Sequence, residues 1–440
     1  MRQILAIAAL TLREAIRSRM VAAVGAAVLL AVAGLPRAMV GDGTADGLAH
    51  TVIFYTLALA FTILAVSALV AGAAAISSEA KGRTLQLTRV KPVRMWRFWL
   101  GKWAGLATTF AALLALAEAG VWLQVRGAPG FRLASEKIAP ALPAVEDQVR
   151  RVLDAARARG ETDPARLREL RRQARLQIPF APVSLDPGRA WHWKFDVGRP
   201  VDPALPPSLL VAFQSDSLSA TPLSAVCRLR DADRPGAPPG PSFTLSNFSS
   251  REMRVALPTA GIEGARRLEL EMAHPGPDTA SPLILQPRQG LFLLRPSCSL
   301  AADFARAFLV LAPILALLVA TGLTFGALFS LPVAVFCSAG LVLSAFVADY
   351  AAEDPDILSI DDAGHSVVRR VNERLSVATT CALETVASSA VRPSPIAELA
   401  GAERIPGREV AASVAWNALA LPALLMVLSS LAMSRRELPE

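Results

Sequence analysis

Side chains able to do chemistry are few and scattered in this chain. One carboxylate, Glu118, stands inside an apolar run from about Leu100 to Gln124. An acid within a membrane-length helix costs roughly 2.5 to 3.5 kcal/mol at the bilayer centre, so it is a functional candidate by default. Glu118 lies near one end of the run, where the cost falls and a paired or snorkelling structural role reads equally well. Four cysteines fall at 227, 298, 337 and 381 without a CxxC pair, which argues against a thiolate metal site or a dithiol redox motif. Cys227 and Cys298 share one polar segment and can pair if it faces an oxidising compartment. Cys337 reads as a small packing residue in an apolar run. His50, His192, His274 and His365 show no ligand spacing, so no metal site is expected. GxxxxGK[ST], HExxH and GxSxG are all missing, and no residue is assigned a catalytic role.

What remains is a basic stretch, Ser77 to Trp103, carrying seven Lys/Arg against one Glu. It also keeps Leu85, Leu87, Val90, Val93, Met95, Trp96 and Trp99, which a merely solvated loop would not need. Ser78 to Thr88 predicts a short helix with Leu85 and Leu87 as apolar anchors, of the kind that docks into a partner's groove. Glu79 complements the helix N-terminus, and Pro92 ends the helix. Arg94, Arg97 and Lys102 are expected to snorkel to lipid headgroups and hold the loop at one depth.

The elements around this stretch follow from hydropathy. Of 440 residues, 53% are hydrophobic and 19% charged, a balance that points to a polytopic helical membrane protein. Ile4 to Ser18 reads as an amphipathic interfacial helix with Ile4, Ala8, Leu12 and Ile16 near one face. Spans are expected at Met20 to about Val40, Thr51 to Ile76 and Leu100 to Gln124, with a sixth at Val410 to Met433. Between Ala307 and Ala348 there is no Asp, Glu, Lys or Arg. At about 20 residues per crossing that run predicts the fourth and fifth spans, filling Phe304 to Phe346, with a turn near Gly326 to Pro332.

Basic residues at 2, 13, 17, 19, 435 and 436 fall on the same side as the central stretch in a six-span reading. The loop at 41 to 50 has two Asp and no Lys or Arg, so both termini are expected in the cytoplasm. The formal charge of +8 is explained by this clustering beside spans and by anionic lipid, and nucleic acid is not an expected partner.

The chain divides into residues 1–125, an extracytoplasmic insert at 126–303, and residues 304–440. The insert opens with a helical hairpin at 145–177, where Val145, Val149, Val152 and Ala156 share a face. Gly160 then stops the first helix, and Asp163 caps the second with Pro164 at its first turn. Eight β-like runs follow between 190 and 298 and suggest an antiparallel sandwich, jelly-roll-like. Trp191 and Trp193 alternate with His192 and Lys194, so both rings share a face. That face is read as buried packing, with a sugar or lipid platform as the other reading. Residues 351–408 read as helices on or dipping into the outer leaflet.

Glu79, Gly82, Arg83, Thr84, Leu85, then Lys91, Pro92, Val93, Arg94, then Leu100, Gly101, Lys102 and Trp103 occur in the order found in the cytoplasmic loop of type-2 ABC exporter permeases. The chain resembles that family, and most of all permeases linked with multicopper-enzyme maturation, of the nitrous-oxide-reductase accessory type. The resemblance implies a permease subunit in the bacterial cytoplasmic membrane, dimeric with itself or a second permease subunit. It implies coupling through Glu79, Gly82, Arg83, Thr84, Leu85, Leu87, Pro92, Arg94, Gly101 and Lys102 to a separate P-loop ATPase. ATP and Mg would sit on that partner, leaving this chain without a cofactor of its own. The insert at 126–303 is far larger than the outer loop of most members, which leaves the substrate open. The competing expectation is a membrane-anchored binding or sensor protein that recognises a ligand through the insert.

Overall fold

A computed structural model of the chain describes residues 2–39, 45–81, 94–127, 133–141, 145–159, 166–168, 170–172, 183–186, 188–214, 223–234, 236, 240–247, 252–275, 282–285, 290–341 and 394–435. These form two compact units, one of Met1–Ala134 with Ser299–Glu440 and one of Ser135–Cys298.

The first unit is helical. Helix α1 (Arg2–Arg17) is followed by α2 (Arg19–Ala38), α3 (Ala45–Lys81) and α4 (Met95–Val125). After the insert come a 29-residue helix Leu300–Leu328, an apolar helix Leu331–Leu341, the short Ser394–Ala400, and the final run Gly407–Leu431. Taking the insert's helix Val145–Ala158 as α5, these are α6, α7, α8 and α9. Among the described residues, five helices (α2, the 47–77 part of α3, α4, α6 and α9) are long and apolar enough to cross a membrane, so the chain is a polytopic helical membrane protein.

Helix α6 is the most enclosed of the five, with 78% of its apolar window buried, against 17% for α2 and for α9. Helix α6 carries no charge after Arg306 and can be surrounded by other helices at no electrostatic cost. Its buried neighbours include Ile53, Leu57 and Leu64 of α3 and Phe110 and Leu114 of α4, in one continuous apolar core. Small residues bring α3 and α6 together. A Cβ on Gly322 would lie 2.3 Å from the Leu69 carbonyl oxygen, and one on Gly326 would lie 2.3 Å from that of Ala73. Gly326 therefore belongs to this seam and not to a turn; the break between α6 and α7 falls at Phe329–Ser330.

Helix α9 is not regular throughout. Over Val414–Ala420 it widens to a π-helix in which the Leu421 N–H bonds the Trp416 carbonyl five residues back. Pro422 has no N–H to offer Ala418, and the wider turn accommodates that loss.

The second unit is mostly β. Strands β1 (Leu133–Ile138), β10 (Leu291–Ser299), β4 (Ser208–Ala212) and β7 (Glu252–Ala256) form one sheet in that order. Strands β3 (Ala190–Asp196), β8 (Arg267–Ala273), β5 (Leu223–Asp231) and β6 (Phe243–Asn247) form another. The pairs β10–β4, β4–β7, β3–β8, β8–β5 and β5–β6 are antiparallel. Inward residues of both sheets, among them Phe195, Leu209, Leu229, Leu245, Leu270 and Leu293, share one apolar core. A two-stranded pair, β2 (Val183–Leu185) with β9 (Leu283–Leu285), adds to it.

The eight β-like runs read from the sequence are β3 to β10; β1 and the three-residue β2 lie outside that reading. Among the described residues of α5, Val149 and Leu153 are buried, with Leu167 and Leu170 packed against them. Val152, expected on the inner face, is instead exposed, because the i, i+4 stripe is centred one residue further on. Gly160, Asp163 and Pro164, the loop at 41–44, Cys381 and the segment 351–393 lie outside the described residues.

Candidate functional site

The basic stretch joins the ends of two long helices. Helix α3 runs without a break for 37 residues, to Lys81, which at about 1.5 Å per residue is some 55 Å against about 30 Å of hydrocarbon. Glu79 sits in its last turn, so the helix expected to begin near Ser78 is, up to Lys81, the end of α3. Gly82, Arg83, Thr84, Leu85, Leu87 and Pro92 lie outside the described residues. Arg94 is exposed and takes the N-cap position of α4, with the chain turning helical at Met95.

From Met95 onward the stretch is held by α1. A Cβ on Gly101 would lie 2.7 Å from the Ile7 side chain and 3.1 Å from the Ile4 carbonyl oxygen. One turn on, a Cβ on Gly105 would lie 2.7 Å from the Ala8 carbonyl oxygen and 2.8 Å from Thr11 Cβ. Glycines four apart give α4 a groove deep enough for the backbone of α1 to settle into. Polar groups then fix the register: Arg97 Nη1 donates to Gln3 Oε1 at 3.0 Å, and Lys102 Nζ stands 4.0 Å from Glu14 Oε2.

Lys102 corrects one expectation. It does not reach outward to headgroups; it is 6% exposed, with its ammonium over the Phe98 ring at 5.6 Å and toward Glu14. Its stem lies along the face of α4 that α1 covers, so the charge turns to the acid of α1. Gly101 is likewise a packing position between two helices of this chain. Behind this contact Trp99 and Trp103 stack at 6.4 Å, and Trp103 Nε1 donates to the Ala316 carbonyl of α6 at 2.8 Å. The arm of the stretch is thus tied to α1 on one side and to the most enclosed helix on the other.

Glu118 is 5% exposed, and its Oε1 has no hydrogen-bond partner among the described residues. It faces the interior of the unit, between Leu114 and Val121, and a snorkelling role is excluded by that burial.

At the other end of α6, Ser299 caps the helix and Asp303 is fully buried. Asp303 pairs with Arg306 Nη1 at 3.0 Å and accepts from the Ile405 N–H at 3.2 Å, just before α9 begins. Further along, Ser413 Oγ donates to the Val310 carbonyl at 2.8 Å, and Asn417 Nδ2 donates to Ser413 Oγ at 3.2 Å. Val310 adjoins Leu309, the residue whose helical donor Pro313 removes. Both contacts advance together along α6 and α9, so the two helices run in the same direction.

The Cys227–Cys298 pairing that the sequence leaves possible is not formed. Cys227 lies on β5 and is fully buried in the sandwich, whereas Cys298 lies near the end of β10 in the other four-stranded sheet. Burial pushes the Cys227 thiol from 9.0 to about 12. Among the described residues no three of His, Cys, Asp and Glu are grouped so as to hold a metal.

Gly105, Gln3, Glu14, Asp303, Ser413 and Asn417 were not singled out by the sequence reading. The signal for the first was present as Gly101-x-x-x-Gly105, and for the α3–α6 seam as Gly322-x-x-x-Gly326. No protein-family model, characterised protein or solved structure matches the chain.

Proposed function

We propose that the chain is the transmembrane permease subunit of an ABC transporter of the type-2 exporter kind. A separate P-loop ATPase, carrying ATP and Mg, drives it to export or extract a substrate across the bacterial cytoplasmic membrane. A second permease subunit, the same or different, completes the path. The observation that carries this reading is the mounting of the basic stretch. Its two ends belong to α3, a single 37-residue helix, and to α4, whose first turns are clamped by α1 and bonded to α6. A push on residues 82–93 is passed to rigid elements, which is what a coupling loop requires and a retention loop does not.

The six-span reading is supported by helix direction. Helices α6 and α9 run the same way, as the fourth and sixth spans do in a six-span reading, which expects a return crossing between them. Helix α7, apolar over Leu331–Leu341, starts that return. An even number of crossings leaves both termini on the side of the basic stretch, the cytoplasm by the distribution of Lys and Arg. The insert is then extracytoplasmic. Its strand orders, with strands alternating between the two four-stranded sheets except at the β5–β6 hairpin, support the jelly-roll reading.

The test is co-purification of the tagged chain from its native membranes with a P-loop ATPase whose hydrolysis accompanies it. Leu85→Glu and Arg94→Glu should each abolish the complex while leaving thermal stability of the chain unchanged. A complex indifferent to both substitutions, or no ATPase at all, refutes the reading. The second reading, a membrane-anchored ligand-binding protein, is favoured by one observation, the compactness of Ser135–Cys298 as a unit of its own. It expects no ATPase in the same experiment.

A further inference from the structure

Helix α1 carries more apolar surface than its seat on α4 covers. Ile4, Ile7, Ala8 and Thr11 lie on the groove made by Gly101 and Gly105, which takes two of the four residues that the sequence places on the apolar face. Leu12 and Ile16 belong instead to a second strip. With Leu5 and Ala9 they recur every three or four residues, so the strip runs the length of the helix. Leu5 is 68% and Ile16 65% exposed.

Arginines run beside this strip. Arg13 follows Arg2 by eleven residues, about three helical turns, and Arg17 follows Arg13 by four, so the three share one edge of α1. Arg19, the first residue of α2, continues the row. All four are exposed, and among the described residues none of their guanidinium groups has an ion pair or a hydrogen bond. Glu14, the single acid of α1, is drawn toward Lys102 on the α4 side.

Charge and apolar surface together select the ligand. A dissolved anion would neutralise the arginines and leave Leu5 and Ile16 in water, whereas acyl chains alone would cover the strip and leave four cations without a counter-charge. A bilayer surface with anionic headgroups meets both at once when the helix lies in its plane. Guanidinium groups grip phosphate oxygens through paired hydrogen bonds.

We propose that α1 is a binding site for anionic phospholipid, with Arg2, Arg13, Arg17 and Arg19 on the headgroup phosphates and Leu5, Ala9, Leu12 and Ile16 on the acyl chains beneath. Lipid held there also steadies the first turns of α4, because another face of α1 fills the α4 groove. The lipid site itself stands whichever way the helical unit is driven.

The test is native mass spectrometry of the full chain in detergent, titrated with phosphatidylglycerol or with phosphatidylcholine. The native chain should retain phosphatidylglycerol in preference to phosphatidylcholine. One juxtamembrane arginine is worth about fivefold, so the combined Arg2→Gln, Arg13→Gln and Arg17→Gln variant should weaken phosphatidylglycerol binding about a hundredfold. Leu5→Gln with Ile16→Gln keeps every charge and should still weaken it by about tenfold or more. Because these side chains are exposed, thermal unfolding should be unchanged in both variants. Arg150→Gln, Arg199→Gln and Arg228→Gln together remove the same charge from exposed positions of the insert and should leave lipid binding as it was. Equal retention of the two lipids, native-like binding by the α1 arginine variant, or an equal loss in the insert variant overturns the proposal.

Discussion

Adding a methyl group to Gly322 or Gly326 tests whether backbone contact between α3 and α6 organises the helical unit. On Gly322 it would stand 2.3 Å from the Leu69 carbonyl oxygen and 2.8 Å from the Ala73 nitrogen, where ordinary contact begins at 3.4 Å. The obstructing atoms are backbone, so no side chain can rotate away and α6 has to retreat by about 1 Å. Overpacking of this kind costs about 1 to 3 kcal/mol, and the immovable obstacle places Gly322→Ala and Gly326→Ala at the upper end. Once α6 has withdrawn for one methyl, the second finds room. The double variant should therefore lose less than the sum of the singles, by about 1 to 2 kcal/mol. Thermal unfolding in detergent, followed by tryptophan fluorescence, measures all three. Gly34→Ala is the control: nothing lies within 4 Å of a Cβ there, and that change should be neutral or slightly stabilising. Single variants within about 0.5 kcal/mol of the native chain, or strictly additive losses, would refute the argument.

Three further expectations follow from the contacts around the helical unit and the sandwich. Gly105→Leu should lift α1 off α4, raising trypsin cleavage at Arg13 and Arg17 by about tenfold for each 1.4 kcal/mol of local protection lost; Gly34→Ala should leave it unchanged. Asp303→Leu removes the carboxylate that holds Arg306 and the Ile405 N–H, at a cost of about 3 to 5 kcal/mol in thermal unfolding. Asp303→Asn keeps an acceptor for Ile405 and should cost about 1 to 2 kcal/mol. Cys227 should resist maleimide at pH 8 until the chain is unfolded, since burial raises its thiol to about 12. The folded state keeps that proton longer than the unfolded one, so the contribution is present below pH 9 and lost as pH rises toward 12. The stability gap between the native chain and Cys227→Ala should narrow across that window.

Apolar runs and strand alternation were legible because each is a local pattern with a fixed period. WHWKFDV, for example, becomes β3 with Trp193 and Phe195 buried. What escaped was pairwise. Ile4 to Ser18 reads as an amphipathic helix, but nothing in it says that Ile7 and Thr11 rest on Gly101 and Gly105, since a glycine groove leaves no hydrophobic signal. Lys102 read as a headgroup anchor because a cation beside a span usually is one; only its position against Glu14 turns it inward. β2 is too short for alternation to register, and the sheet that holds each cysteine is a matter of topology that spacing does not encode.

Strands β1 and β10, which begin and end the insert, are neighbours in one sheet. Hydrogen-bonded strands lie about 4.8 Å apart, so the chain leaves the insert almost where it came in. For the helices, the entropy of closing the connection from α4 to α6 is accordingly that of a short loop, however many residues the sandwich contains. A sandwich attached in this way can be gained, lost or exchanged without altering the order in which the spans meet. Excision of 139–290 with a tight turn joining the two strands should leave a helical unit that still inserts. The sandwich is then a replaceable cassette, joined to the helical unit through two adjacent strands.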